Sequence, residues 1–166
     1  MSAAIVILAL VTLQRLGELM LARRNTGRLL ARGGREASPR HYPLIVAVHT
    51  GWLAALWWLA PGREIVWPLI GVFLLLQLGR AWVLATLGER WTTRIIVLPG
   101  APLVARGPFR LVRHPNYIVV VLEIAILPLA FHLWEVALIF SLANAAVLTV
   151  RVRAEERALA EAGVAG

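Results

Sequence analysis

Two short polar segments hold the side chains best suited to chemistry: His114-Pro115-Asn116-Tyr117 and Arg151-Val152-Arg153-Ala154-Glu155-Glu156. A residue that precedes proline is pushed toward an extended backbone, so Pro115 turns His114 out of the helix, and Asn116 can cap the helix that begins beside it. Free amides and the positive end of a helix dipole then face the loop, where a carboxylate binds well. The same residues equally serve only to stop a loop and start an apolar helix. In the second segment Arg151 and Glu155 are four apart and share one face of a helix. That face can also be a plain interfacial one, with arginine stems lying along apolar surface. Glu123 stands alone in an apolar run, where a carboxylate seeks a cationic partner such as Arg80 or Arg15. Arg15 and Glu18 are spaced to pair with each other, and His49 reads as a hydrogen bonder between helices rather than a ligand. Cysteine and aspartate are absent and the 4 histidines are scattered, so no metal is expected. The lack of cysteine also excludes disulfides, thiolate nucleophiles and lipidation on cysteine.

The elements that must position these residues are membrane helices. The 166 residues are 60% hydrophobic and only 16% charged, too apolar for a soluble domain and too few for a second one, so residues 1–166 are expected to form one membrane domain. The net charge of +8 comes from 17 basic residues, all arginine, against 9 acidic residues, all glutamate. These arginines gather in loops, where they set topology, and no aromatic-interleaved basic patch accompanies them, so nucleic acid is not expected as a partner. Arginine without lysine, beside abundant alanine, glycine and valine, also leans toward a bacterial source.

Apolar runs predict spans over residues 3–22, 42–60, 65–87, 117–131 and 133–150. The first lacks a small-residue cleavage site and reads as a retained span. Arg23, Arg24, Arg28, Arg32, Arg35 and Arg40 follow it; Arg90, Arg94, Arg106, Arg110 and Arg113 follow the third span; Arg151, Arg153 and Arg157 follow the last. One arrangement puts all three groups in the cytoplasm, with the N-terminus and the Pro61–Glu64 turn outside. The expected fold is therefore an all-α integral membrane protein of about five transmembrane helices, placed in the bacterial plasma membrane. The last two spans form a C-terminal helical hairpin turning between Pro128 and Glu135, which returns Arg151–Glu156 to the membrane face that holds His114.

Arg113-His114-Pro115-Asn116-Tyr117, a helical hairpin, then Arg151 with Glu155-Glu156 resembles the isoprenylcysteine carboxyl methyltransferase family of membrane enzymes, most strongly from Leu98 to Leu159. The N-terminal part, with Gln14-Arg15-Leu16-Gly17-Glu18-Leu19, Arg24-Asn25 and His41-Tyr42-Pro43, looks more like a bacterial branch that methylates long-chain alkylpyrones or alkylresorcinols. The prenylcysteine enzymes generally carry glycine after the motif tyrosine, where this chain has Ile118.

The resemblance implies S-adenosyl-L-methionine as cofactor, bound in a pocket at the cytoplasmic face. Its contacts fall on Leu103, Val104, Phe109 (a tyrosine in many relatives), His114, Pro115, Asn116, Tyr117 and Glu155, and an acceptor-side arginine falls on Arg151. The residue types agree with this. Leu103, Val104 and Phe109 can wall an adenine, amides near Asn116 can take the methionine carboxylate, and Glu155 can accept from cofactor hydroxyls or ammonium. Methyl transfer from a sulfonium is an in-line displacement, so the protein mainly aligns two molecules and keeps the acceptor anionic. Arg151 can neutralise a phenolate, enolate or carboxylate, and Glu123 either accepts a phenol proton or is a structural partner of an arginine. The expected acceptor is a lipophilic small molecule or membrane lipid. Rival readings are an isoprenylcysteine carboxyl methyltransferase, a phospholipid N-methyltransferase, whose neutral amine gains nothing from Arg151, and a non-catalytic transporter or scaffold, which binds no cofactor.

Overall fold

The protein is described by a computed structural model over residues 2–37, 39 and 42–161; Arg40 and His41 lie outside the described residues. Helix α1 (Ala3–Ala31) starts at Ser2, whose hydroxyl accepts from the Ile5 N–H at 3.4 Å. It runs on well past Ala22, where the apolar run ends. Leucine, alanine and arginine are good helix formers, so the backbone continues after the sequence turns polar. Helices α2 (Tyr42–Leu59) and α3 (Trp67–Leu87) follow, then α4 (Pro115–Leu129) and α5 (Trp134–Glu161). The last helix overruns its expected end at residue 150 for the same reason.

Helices α1, α2, α3 and α5 are long and apolar enough to cross a bilayer. The 15 residues of α4 rise only about 22 Å, short of the roughly 30 Å hydrocarbon core, so this helix does not meet the length of a full span on its own. Proline sets both of its ends. Pro115 occupies the first turn and Pro128 lies in the last, where its missing N–H leaves the Ile124 carbonyl without an intrahelical donor. The buried Trp52 indole of α2 donates to that carbonyl at 3.1 Å, which meets the requirement that backbone polar groups inside a membrane be satisfied. Leu10, Leu13, Met20, Trp58, Leu75, Leu78 and Leu142 lie on the outer surface, each more than half exposed. So many exposed large apolar side chains suit lipid, not water, and the chain is an integral membrane protein.

The arginine-rich segments come together at one end of the bundle, opposite the Pro61–Glu64 turn and the α4–α5 turn, which are tied by the Val66 N–H donating to the Ala130 carbonyl at 2.9 Å. Strands β1 (Arg35–Glu36) and β2 (Ile96–Val97) pair antiparallel, with Arg35 opposite Val97, a ladder that the sequence did not announce. Asn25, 2% exposed, donates to the carbonyls of Gly88 (3.1 Å) and Trp91 (2.8 Å), and Arg28 and Arg32 both pair with Glu89. The hydrophobic core, built on Leu8, Trp52, Leu56, Phe73, Leu127 and Phe131, occupies the opposite half. The arginine-rich half is thereby left open to cavities.

Candidate functional site

The loop from Trp91 to His114 is held against α3 and α5. At Gly107 (φ +57°) a Cβ would meet the Thr86 hydroxyl at 2.6 Å, so only glycine lets the short 3-10 turn Gly107–Arg110 lie on α3. Arg90 donates to the Pro102 carbonyl at 2.5 Å and Arg106 to the Thr86 carbonyl at 3.4 Å. This turn carries Phe109 toward the start of α4.

The helix cap differs from expectation. His114 holds the N-cap position (φ −129°, ψ 65°) without a side-chain cap, Pro115 is the first helical residue, and Asn116 sits inside the first turn. The Asn116 side chain therefore does not cap the helix. Instead its Oδ1 is buried without a partner among the described residues, as is His114 Nε2. Orphaned buried polar atoms are uncommon because each costs about 1–3 kcal/mol, and two adjacent ones in a cavity wall are what a bound polar ligand would satisfy.

Four residues from the two polar segments form one chain of contacts. The His114 and Tyr117 rings stack with centroids 5.1 Å apart and 22° between planes. The Tyr117 hydroxyl donates to Glu155 and accepts from Arg151 Nε at 2.9 Å, while Arg151 Nη1 donates to the Thr93 carbonyl at 2.8 Å. His114 Nδ1 lies 4.0 Å from Glu155. The four-residue spacing on α5 thus does what it promised: Arg151 and Glu155 reach the same tyrosine from successive turns.

Two cavities meet at this chain. The first, about 620 Å³, is lined by Leu103, Val104, Phe109, His114, Pro115, Asn116, Tyr117, Arg151 and Glu155, so every expected site residue except Glu123 borders it. The second, about 400 Å³, runs among α1, α2, α4 and α5 past Leu16, Leu19, Ile45, Val46, Leu53 and Val147 and is mostly apolar. Asn116, Tyr117, Arg151, Trp91 and Thr92 border both.

Glu123 lines neither cavity and is fully buried. Its carboxylate accepts from Arg80 Nε at 2.9 Å, again from Arg80 Nη2, from Arg15 at 2.7 Å and from Gln77 at 2.8 Å. Glu18 closes the cluster, accepting from Arg15 at 3.1 Å and Arg80 at 3.2 Å, so two arginines and two glutamates balance. Both candidate partners of Glu123 are engaged at once, and the Arg15–Glu18 pair forms as spaced. His49 departs from expectation: its Nδ1 bonds the Ile45 carbonyl of its own helix at 2.8 Å, not a neighbouring helix.

Thr93 and Trp91 escaped the sequence reading, and Tyr42 entered it only within the His41-Tyr42-Pro43 likeness, without a place in the site. Thr93 holds Arg151 through its carbonyl and Tyr42 through its hydroxyl (3.2 Å), with Arg94 over the Tyr42 ring at 4.8 Å. A backbone carbonyl leaves no trace in residue type, so only the aromatics could have been noticed. Among the described residues no group of three or more His, Cys, Asp or Glu could hold a metal.

The model of the isoprenylcysteine carboxyl methyltransferase family matches residues 69–161, the stretch from α3 to the end of α5 that builds the 620 Å³ cavity. A protein of Bacillus subtilis (strain 168) that bears the name uncharacterized protein YpbQ is 36% identical over 171 residues, covering 95% of this chain and 97% of that one. No solved structure matches the chain. The matched stretch is more than half of the chain, and the chain belongs to the isoprenylcysteine carboxyl methyltransferase family, a family of membrane methyltransferases.

Proposed function

We propose that the protein transfers a methyl group from S-adenosyl-L-methionine to an oxygen of a lipophilic acceptor, a long-chain phenol or enol of the alkylresorcinol or alkylpyrone kind. The observation that carries this reading is the junction at Asn116, Tyr117 and Arg151, where a larger, partly polar cavity meets a smaller, mostly apolar one. A transporter or scaffold, the rival reading, binds no S-adenosyl-L-methionine in the larger cavity.

The residues fit the cofactor. Leu103, Val104 and Phe109 supply an apolar wall of adenine size, Glu155 supplies a carboxylate for hydroxyl or ammonium donors, and the unpartnered His114 Nε2 and Asn116 Oδ1 are free to bond a polar ligand. When bound, S-adenosyl-L-methionine supplies an electrophilic methyl on a sulfonium. The chain's part is alignment and charge. The Arg151 guanidinium, fixed by Tyr117 and Thr93, stands where both cavities open and holds an acceptor oxygen in its anionic form. The ring pair His114–Tyr117 fixes the wall between them. Glu123, saturated by two guanidiniums, is proposed as the group that neutralises Arg15 and Arg80 and locks α1, α3 and α4 together, not as the base.

The purified protein in nanodiscs is expected to bind S-adenosyl-L-methionine and its demethylated product, measured by calorimetry. Absence of heat and of competition with either compound overturns the reading. The arginine-rich end is proposed to be cytoplasmic and the N-terminus external. The chain has no cysteine, so cysteines introduced at Arg28, Arg63 and Ala101 test this directly. In right-side-out membranes an impermeant thiol reagent is expected to label the Arg63 site alone. Equal labelling at Arg63 and Ala101 refutes the arrangement.

A further inference from the structure

The apolar cavity contains a polar place that methyl transfer itself does not use. Asn144 of α5, 5% exposed, lies in its wall, and its side-chain amide has no hydrogen-bond partner among the described residues. His49 of α2 borders the same cavity. Its Nδ1 faces the Ile45 carbonyl, which can only accept, so Nδ1 carries the proton and Nε2 is left as a free acceptor.

Both residues lie seven positions from the reaction end: Asn144 from Arg151, and His49 from Tyr42. Tyr42 and Arg151 meet at Thr93, and Gly51 meets Phe140, so α2 and α5 run antiparallel with His49 and Asn144 at one level. That level is two turns, roughly 10 Å of helix rise, below the Tyr117–Arg151 junction. Side chains on α2 lean toward its N-terminus, which is the reaction end, and so shorten the gap from His49. The Asn144 amide opens on the cavity, so a ligand oxygen at that level can bond it.

We propose that Asn144 and His49 form a second polar anchor, which recognises a second oxygen on the acceptor's head group, meta on the ring to the oxygen that receives the methyl. This rests on the methyltransferase reading above and deepens it by assigning the residues that distinguish a ring with two oxygens from a ring with one, the alkyl tail lying along the apolar wall. Asn144 can donate to a ring carbonyl or a hydroxyl. His49 Nε2 can only accept, so it adds a bond for a hydroxyl and none for a carbonyl.

The test uses the full chain in nanodiscs with three acceptors of equal chain length: a 5-alkylresorcinol, a 4-hydroxy-6-alkylpyrone, and a 3-alkylphenol that lacks the second oxygen. A site built to bond a substrate oxygen discriminates against the analogue without it, so kcat/KM for the better of the first two is expected to exceed that for the alkylphenol at least tenfold. Asn144→Leu is expected to bring the pyrone within about twofold of the alkylphenol, and Asn144→Leu combined with His49→Phe to bring all three within about twofold of one another, the loss falling on KM. His49→Phe is expected to penalise the resorcinol alone, which separates a hydroxyl from a carbonyl partner. Calorimetric binding of S-adenosyl-L-methionine reports whether each variant is folded. An alkylphenol turned over as well as the other two by the unaltered protein overturns the inference and leaves the methyltransferase standing. A pyrone preference that survives Asn144→Leu, or any preference that survives the double variant, overturns it too, as does turnover of none of the three by a protein that binds the cofactor. A protein that neither binds the cofactor nor turns over any acceptor overturns both.

Discussion

Glu155→Ala is expected to weaken S-adenosyl-L-methionine binding about tenfold to a hundredfold, whereas Arg151→Ala leaves that binding within a few-fold and removes most turnover of an anionic acceptor. Charge and place separate the two side chains. Glu155 borders only the larger cavity, where a carboxylate offers a charge-assisted acceptor to hydroxyl or ammonium groups, each such contact worth about 1.5–3 kcal/mol. Arg151 borders both cavities, and a guanidinium gains little beside a sulfonium but much beside an oxygen anion. The two side chains meet through the Tyr117 hydroxyl, so a disturbed tyrosine could mimic either effect. Tyr117→Phe keeps the ring and deletes the bridge, and is expected to fall between the two alanine variants in both measurements. Calorimetry gives the binding constants, and single-turnover rates at saturating cofactor give the chemistry. If Arg151→Ala abolished cofactor binding but spared the single-turnover rate, Arg151 would belong to the cofactor and the division of roles would fail.

Much of this site could be read from residue types because the relevant signals are local. His114-Pro115-Asn116-Tyr117 announces a helix start through its proline, and Arg151 with Glu155 announces a face through a spacing of four. Arginine clustering also anticipated which loops share an end of the bundle, and the β1–β2 ladder and the Arg28–Glu89 and Arg94–Glu36 pairs join those loops. What could not be read depends on contacts between distant segments. The sequence left Arg15 and Arg80 as alternatives for Glu123, and the fold uses both because α1 and α3 flank α4 at the same depth. The polarity drop after Ala22 does not mark the end of the helix, and α1 continues to Ala31. Pro128 is visible in the sequence, but that Trp52 answers the carbonyl it frees is a fact of packing.

The largest effect on stability is expected from the buried ionic cluster. Glu123→Leu removes one of two carboxylates facing two guanidiniums and leaves Arg15 and Arg80, the latter 3% exposed, to share the single carboxylate of Glu18, one positive charge in excess among apolar helices. Removing one partner of a buried pair typically costs about 3–5 kcal/mol, a large share of the roughly 5–15 kcal/mol that holds a domain folded. The expected result is a strongly lowered thermal midpoint in detergent, or no folded protein at all. Arg80→Leu combined with Glu123→Leu removes one charge of each sign, and the Arg15–Glu18 pair at 3.1 Å remains balanced. The double variant should therefore recover much of what the single variant loses, because apolar side chains can replace a buried ion pair at little cost when both charges go. Stability separates the two roles that the residue type allows for Glu123. A base lost from a catalytic step would leave the fold intact and abolish turnover, and Arg80→Leu would not repair it. A Glu123→Leu protein that melted like the unaltered one but transferred no methyl group would make Glu123 the base after all.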